Sequence, residues 1–227
     1  MHKLNRSPDA PAILDMFDHT IHTWDDFSTE NKKAVWVKLY EMQGNRCAYC
    51  EKTINPEDKD DKHIEHFRRK GVEQYQHLTF EWTNLFGSCC VRDRCGIFKD
   101  KQKYEEHNLI KMDDEDPEKF FTFLSTGKIS INDNLSAADR EKAQVTLRVF
   151  NLNPDRNGIK TERLRMIASH EYLVREMIKL INELTSERDM DLLNYALDEY
   201  LEKISGQPFE TAIKHILIAN FKSSIYK

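Results

Sequence analysis

Cys47-Ala48-Tyr49-Cys50, His63-Ile64-Glu65-His66, Trp82-Thr83-Asn84-Leu85 and Ser88-Cys89-Cys90-Val91-Arg92-Asp93-Arg94-Cys95 carry the reading of this chain. All five cysteines fall between Cys47 and Cys95, a clustering that suits metal binding better than a disulfide framework spread through a fold. The C-x-x-C spacing lets Cys47 and Cys50 converge on one zinc at about 2.3 Å each. Cys95 and one further thiol complete the set, Cys89 being the first choice and Cys90 the alternate. Four thiolates leave no open position for water, so such a zinc is structural and hydrolysis needs other residues.

Those residues lie between the cysteine pairs. Hydrolysis of a phosphodiester needs a base to deprotonate water and a cation to offset charge on the transition state and leaving oxygen. His66 suits the base, because an unperturbed imidazole with a pKa of about 6.5 is mostly neutral at cellular pH. Glu65 offers a hard oxygen for a catalytic magnesium or manganese. Side chains alternate along a strand, so adjacent Glu65 and His66 share one site only if the strand ends or bends there.

Outward from this stretch, Ser28-Thr29 caps a helix over Glu30 to Gln43, with Trp36, Leu39 and Tyr40 at helical spacing and Gly44 as its stop. Asn55 to Lys62 reads as a charged loop joining two short strands, the second around His63 to Phe67. A helical turn is expected at Trp82 to Leu85 and a short helix over Phe98 to His107. Phe121, Phe123, Ile129 and Ile131 alternate around Thr126-Gly127 and predict a hairpin. Helices follow over Ser136 to Phe150, Ile159 to Leu184, Glu187 to Ile204 and Pro208 to Phe221, with a break at Asn151-Leu152-Asn153-Pro154.

The composition, 39% hydrophobic and 32% charged over 227 residues, is that of an ordinary globular protein. No apolar stretch approaches the roughly 18 residues of a membrane span, so no membrane partner is expected. The opening Met1-His2-Lys3-Leu4 runs into polar sequence without an apolar signal core, and the expected compartment is the cytoplasm. The net charge is −5, yet His63 to Lys103 holds eight Lys and Arg against five Asp and Glu. Phosphate attraction depends on such local fields more than on the sum.

The order Cys47-x-x-Cys50, Glu65-His66, Asn84-Leu85, Ser88-Cys89, Cys95 and Lys99 resembles the HNH, or ββα-metal, nucleases stapled by zinc. Cys47-Ala48-Tyr49-Cys50-Glu51, Ile64-Glu65-His66-Phe67-Arg68, Trp82-Thr83-Asn84-Leu85 and Cys95-Gly96-x-x-Lys99 look like the PtuB-type nucleases of Septu and retron-linked anti-phage systems. The match spans roughly Asn45 to Lys103. The family's common Pro three residues after the His is Arg69 here, and the position after the last cysteine, often His or Asn, is Gly96, which leaves Asp93, Asp100 or His63 to fill the role of third metal ligand.

The resemblance implies a fold that is α+β and mostly α, with a small zinc-stapled ββα-metal core and a helical C-terminal region. Residues 1–111 would form the nuclease module with its leading helix, and 112–227 a hairpin plus helical bundle that binds a partner. His66 would be the general base, Asn84 would brace the catalytic loop and help place the metal, and Glu65 would hold it. Cys47, Cys50, Cys89 and Cys95 would bind structural zinc. The implied function is metal-dependent cleavage of DNA or tRNA by the effector of an anti-phage complex. Its implied partners are a PtuA-type ATPase and, in retron versions, a reverse transcriptase with its RNA–DNA hybrid. No Walker motif occurs in the chain, so ATP use would come from another subunit. The alternative is a non-catalytic zinc module that binds nucleic acid or scaffolds a complex.

Overall fold

The computed structural model describes residues 1–154, 158–184 and 190–225. They form two compact units, one of residues 1–120 and 134–152, the other of 121–133 and 153–227. The fold is a mostly helical α+β arrangement with two small two-stranded sheets.

In the first unit, α1 (Thr29–Gln43) starts where the Ser28 hydroxyl accepts from Asn31 N and stops at Gly44, as the sequence predicts. The chain then makes the Cys47–Cys50 turn, closed by a single bridge between Arg46 and Thr53. The loop over Asn55 to Lys62 therefore leads from a bridge, not from a strand, into β1 (Lys62–His66). That strand pairs antiparallel with β2 (Leu85–Cys89), Lys62 opposite Cys89 and His66 opposite Leu85. A turn of 3-10 helix at Trp82–Asn84 precedes β2.

β2 carries no alternation because all five of its residues are buried. At Gly87, the Gln43 side chain stands in for a neighbouring strand, its Nε2 donating to Gly87 O and its Oε1 accepting from Gly87 N, both at 2.9 Å. A Cβ at Gly87 would sit 2.7 Å from Gln43 Nε2 and from Trp36 Cζ3, so only glycine lets α1 approach this closely.

The helix expected over Phe98 to His107 is instead α2 (Cys95–Lys99), with a separate 3-10 turn at Glu106–Asn108. It starts early because Cys95, in the left-handed region at φ 57°, donates its N–H to Phe150 O at 3.0 Å. Phe150 ends α3 (Ala137–Val149), capped by Ser136, and stacks on Tyr49 with centroids 4.2 Å apart. The helix thus buttresses the cysteine turn.

In the second unit, β3 (Phe121–Phe123) and β4 (Ile129–Ile131) form the expected hairpin. Asn153 pins its edge, accepting from Ile129 N at 2.9 Å and donating to Ile129 O at 2.6 Å. The single helix predicted over Ile159 to Leu184 is two, α4 (Ile159–Ser169) and α5 (Glu171–Leu184). At the break, the Ser169 hydroxyl and His170 Nδ1 both turn back to Met166 O, competing with the backbone for that carbonyl.

α6 (Met190–Ile204) and α7 (Glu210–Ile225) complete the bundle. Glu187, the expected start of α6, lies outside the described residues, and α7 begins beyond Pro208 because Phe209 takes a positive φ of 57°. Leu173, Met177 and Ile181 of α5 pack with Leu193 and Tyr200 of α6 and Leu217 and Phe221 of α7. Of the stripe Leu164, Ile167, Val174, Met177, Ile178 and Ile181 that the sequence marks as one face of a helix, Met177 and Ile181 are buried in this core, Val174 packs against it and Leu164 is exposed.

Candidate functional site

Three separate stretches of the first unit bring four thiols together. Cys47 and Cys50 come from the turn after α1, Cys89 from the end of β2, and Cys95 from the first turn of α2. All four are buried, and their Sγ atoms lie within 4.8 Å of one another. Cys50 and Cys89 Sγ are 3.9 Å apart, against about 3.8 Å for two sulfurs on a tetrahedral zinc with bonds of about 2.3 Å. No cysteine is in a disulfide.

Burial pushes the Cys50 and Cys95 thiols well up. Against the same burial, hydrogen bonds from Cys50, Cys89 and Cys95 hold Cys47 well down. Four thiolates packed this closely would repel one another without a divalent cation to neutralise them. The four buried cysteines are thus able to hold a structural metal such as zinc. Cys90 stands apart, half-buried, with its Sγ 3.6 Å from His63 Nδ1.

The second cluster sits where β1 ends. Strand alternation puts His63 and Glu65 on one face, with His63 Nε2 3.1 Å from Glu65 Oε2. Glu65 is 3% exposed and Lys99 of α2 is 0% exposed. The Lys99 ammonium lies 2.6 Å from Glu65 Oε1 and 3.2 Å from Asp100 Oδ1, and it donates to His66 O at 2.7 Å. Against the cost of full burial, the Lys99 charge and the His63 contact hold the Glu65 carboxyl below its ordinary range. Cys90 and Glu65 raise the His63 pKa to about 10 despite the ring's burial.

His66 is the last residue of β1, and there the chain leaves the strand. Its Nε2 lies 3.0 Å from Thr79 O. A carbonyl only accepts, so Nε2 carries the proton and Nδ1 keeps the lone pair. The Trp24 ring meets the imidazole edge-on, centroids 4.4 Å apart and planes at 87°. Burial lowers the His66 pKa from 6.5 to about 4, which keeps the ring neutral.

Asn84 works on the backbone. Its Oδ1 accepts from Arg68 N at 2.7 Å, and its Nδ2 donates to Arg68 O at 3.0 Å and Leu78 O at 3.1 Å. It ties the exit of β1 to the segment carrying Thr79.

Trp24, His63, Glu65, His66, Arg69 and Asp100 all border one cleft of about 420 Å³. An adjoining groove of about 590 Å³ shares Trp24, His63 and Ile64 and adds Trp36, Tyr40, Lys32, Lys59 and Lys62. Asp93 is exposed and outside the cleft. Trp24, Thr79 and the placing of Lys99 were not foreseen as parts of the site. Trp24 arrives on a 3-10 turn capped by Thr23, with no spacing to announce it, whereas Lys99 was visible in the Cys95-Gly96-x-x-Lys99 motif.

No family model matches the chain. Its curated relatives fall first into a class, HNH endonucleases linked to retrons. The chain is 26% identical over 176 residues to "Retron Vc95 putative HNH endonuclease" of Vibrio cholerae serotype O1 biovar El Tor, covering 73% of this chain and 80% of that protein. It is 24% identical over 217 residues to "Retron Ec83 putative HNH endonuclease" of Escherichia coli, covering 82% and 81%.

More particularly, it is 32% identical over 108 residues to the Septu protein PtuB of Bacillus thuringiensis. That match takes in 44% of this chain and spans 40% of the PtuB length. The resemblance to PtuB-type HNH nucleases read from the motifs is borne out by these relatives.

Proposed function

We propose that the chain is a metal-dependent HNH endonuclease that hydrolyses phosphodiester bonds of DNA or tRNA as the effector of an anti-phage defence complex. One observation carries the reading: Glu65 and His66, neighbours in sequence, border the same cleft because β1 ends at His66. In this reading β1, β2 and α2 are the ββα-metal core, and the four-cysteine zinc fastens the turn after α1 to the ends of β2 and α2.

His66 Nδ1 takes the proton from the attacking water, its ring held by the Thr79 carbonyl and the edge of Trp24. Glu65 holds magnesium or manganese, and such a cation neutralises charge on the phosphate and leaving oxygen. Asn84 keeps Thr79 and β1 in register and so positions the base. Arg69 and Lys70 at the cleft and the lysines beside Trp36 and Tyr40 supply phosphate and base contacts of the kind single strands use.

Within residues 112–227, the helical unit is the partner-binding region. Exposed Tyr172 on α5 and Tyr195 on α6 support this, since exposed aromatic side chains favour protein contacts. The partner is a PtuA-type ATPase, joined in a retron setting by a reverse transcriptase with its RNA–DNA hybrid. The complex acts in the cytoplasm. Among the described residues no helix is long and apolar enough to cross a membrane.

The test is cleavage of plasmid DNA and total RNA by the zinc-loaded chain with its ATPase, beside His66→Ala. The variant should lose cleavage at least a hundredfold while keeping its zinc. Equal cutting by both would remove His66 as base. No cutting by either, with nucleic acid still bound, would favour the non-catalytic zinc module.

A further inference from the structure

We infer that His63 joins Glu65 in holding the divalent cation of the cleft, forming a nitrogen-oxygen pinch above Gly96. This deepens the nuclease reading and rests on it.

Three observations converge. The donor atoms His63 Nε2 and Glu65 Oε2 lie 3.1 Å apart, close to the roughly 3 Å between adjacent ligands bound at about 2.1 Å each. Both residues border the cleft, where a substrate phosphate would reach the pair. Gly96 lies directly beneath them: a Cβ there would sit 2.6 Å from Glu65 Cδ and 2.8 Å from His63 Nε2, and would strike Glu65 Oε2. Any side chain at position 96 would displace one donor or the other.

The surroundings hold both ligands in pose. Lys99 engages Glu65 Oε1 at 2.6 Å, which fixes the carboxylate and leaves Oε2 as the oxygen on the His63 side. On the far edge of the imidazole, Cys90 Sγ lies 3.6 Å from Nδ1. With Nε2 on the cation, Nδ1 carries the proton and donates to that sulfur, the outer-shell contact that metal-bound histidines use to fix their tautomer. Asp93 is exposed and outside the cleft. Asp100, also at the cleft, is an exposed carboxylate whose Oδ1 lies 3.2 Å from Lys99 Nζ. A mixed imidazole-carboxylate set suits manganese better than magnesium, which prefers oxygen alone.

The experiment is a manganese titration of the zinc-loaded full chain, read by the electron paramagnetic resonance of free Mn²⁺, with cleavage measured in parallel. Wild type should bind one Mn²⁺ at this site. His63→Ala and His63→Gln should each weaken it about 100-fold, since even outer-shell losses cost 10- to 100-fold. His66→Ala should bind as wild type. Gly96→Asn should also weaken binding, and His63→Ala/Gly96→Asn should regain at least tenfold over His63→Ala, the vacated ring space admitting a ligand from α2.

Binding by both His63 variants within threefold of wild type would overturn the inference, and wild-type cleavage under the same conditions would leave the nuclease reading standing. A double variant no tighter than His63→Ala would overturn the placement above Gly96. Wild type that binds no Mn²⁺ and cuts nothing would end both.

Discussion

The Lys99–Glu65 pair gives a sharp energetic prediction. Both groups are buried, the Nζ–Oε1 distance is 2.6 Å, and Lys99 also donates to His66 O at 2.7 Å. Lys99→Met removes the cation, leaves the Glu65 carboxylate buried beside one fewer partner, and strips the donor from that carbonyl. Breaking a buried pair from one side costs about 3–5 kcal/mol. Glu65→Gln leaves the ammonium with its carbonyl partners and should cost about 2–3 kcal/mol.

The double change removes both charges together, so it should cost at least about 2 kcal/mol less than the two single losses combined. The three tryptophans, Trp24, Trp36 and Trp82, all lie in the first unit. Their fluorescence in urea therefore follows that unit apart from the helical one. Additivity within about 0.5 kcal/mol would refute the claim that the two groups stabilise one another.

Three further outcomes follow from the same geometry. Cys89→Ser should lose the zinc and destabilise the first unit, whereas Cys90→Ser should keep one zinc per chain by elemental analysis; the reverse pattern would contradict the cluster. Gly87→Ala should cost about 1–3 kcal/mol in the same fluorescence assay, because its Cβ meets Trp36 and Gln43 at 2.7 Å; an unchanged midpoint would show that α1 moves aside freely. Trp24→Ala should cut cleavage about fivefold to tenfold by freeing the His66 ring, the aromatic edge contact being worth about 1 kcal/mol, and should leave zinc content unchanged. Cleavage at the wild-type rate would show that the ring needs no such support.

What the sequence discloses here depends on how local each cause is. The caps at Ser28 and Ser136 and the alternation around Thr126-Gly127 act within a few residues, and α1, α3 and the hairpin were legible from them. The cysteine spacing was legible as a metal cluster, and Glu65-His66 as neighbours that share one cleft where the strand ends. β2 was hidden because Leu85 to Cys89 is buried on both faces, which erases the period of two. The break after α4 comes from two side chains competing for Met166 O, a choice no apolar stripe records. Thr79 and Trp24 reach His66 only through the tertiary fold. The crowding above Gly96 likewise exists only once α2 has been laid against β1.

The first unit takes in residues 134–152 as well as 1–120, so the polypeptide passes from one unit to the other three times. A protein ended at Lys111 would lack α3, and with it the Phe150 ring under Tyr49 and the carbonyl that seats Cys95. Cutting after Leu152 instead would keep that support but leave the Phe121–Asp133 hairpin without the helices it belongs to. Separating the two bodies by engineering calls for excising 121–133 and bridging Phe120 to Asn134, and a library of simple end deletions would never reach that arrangement.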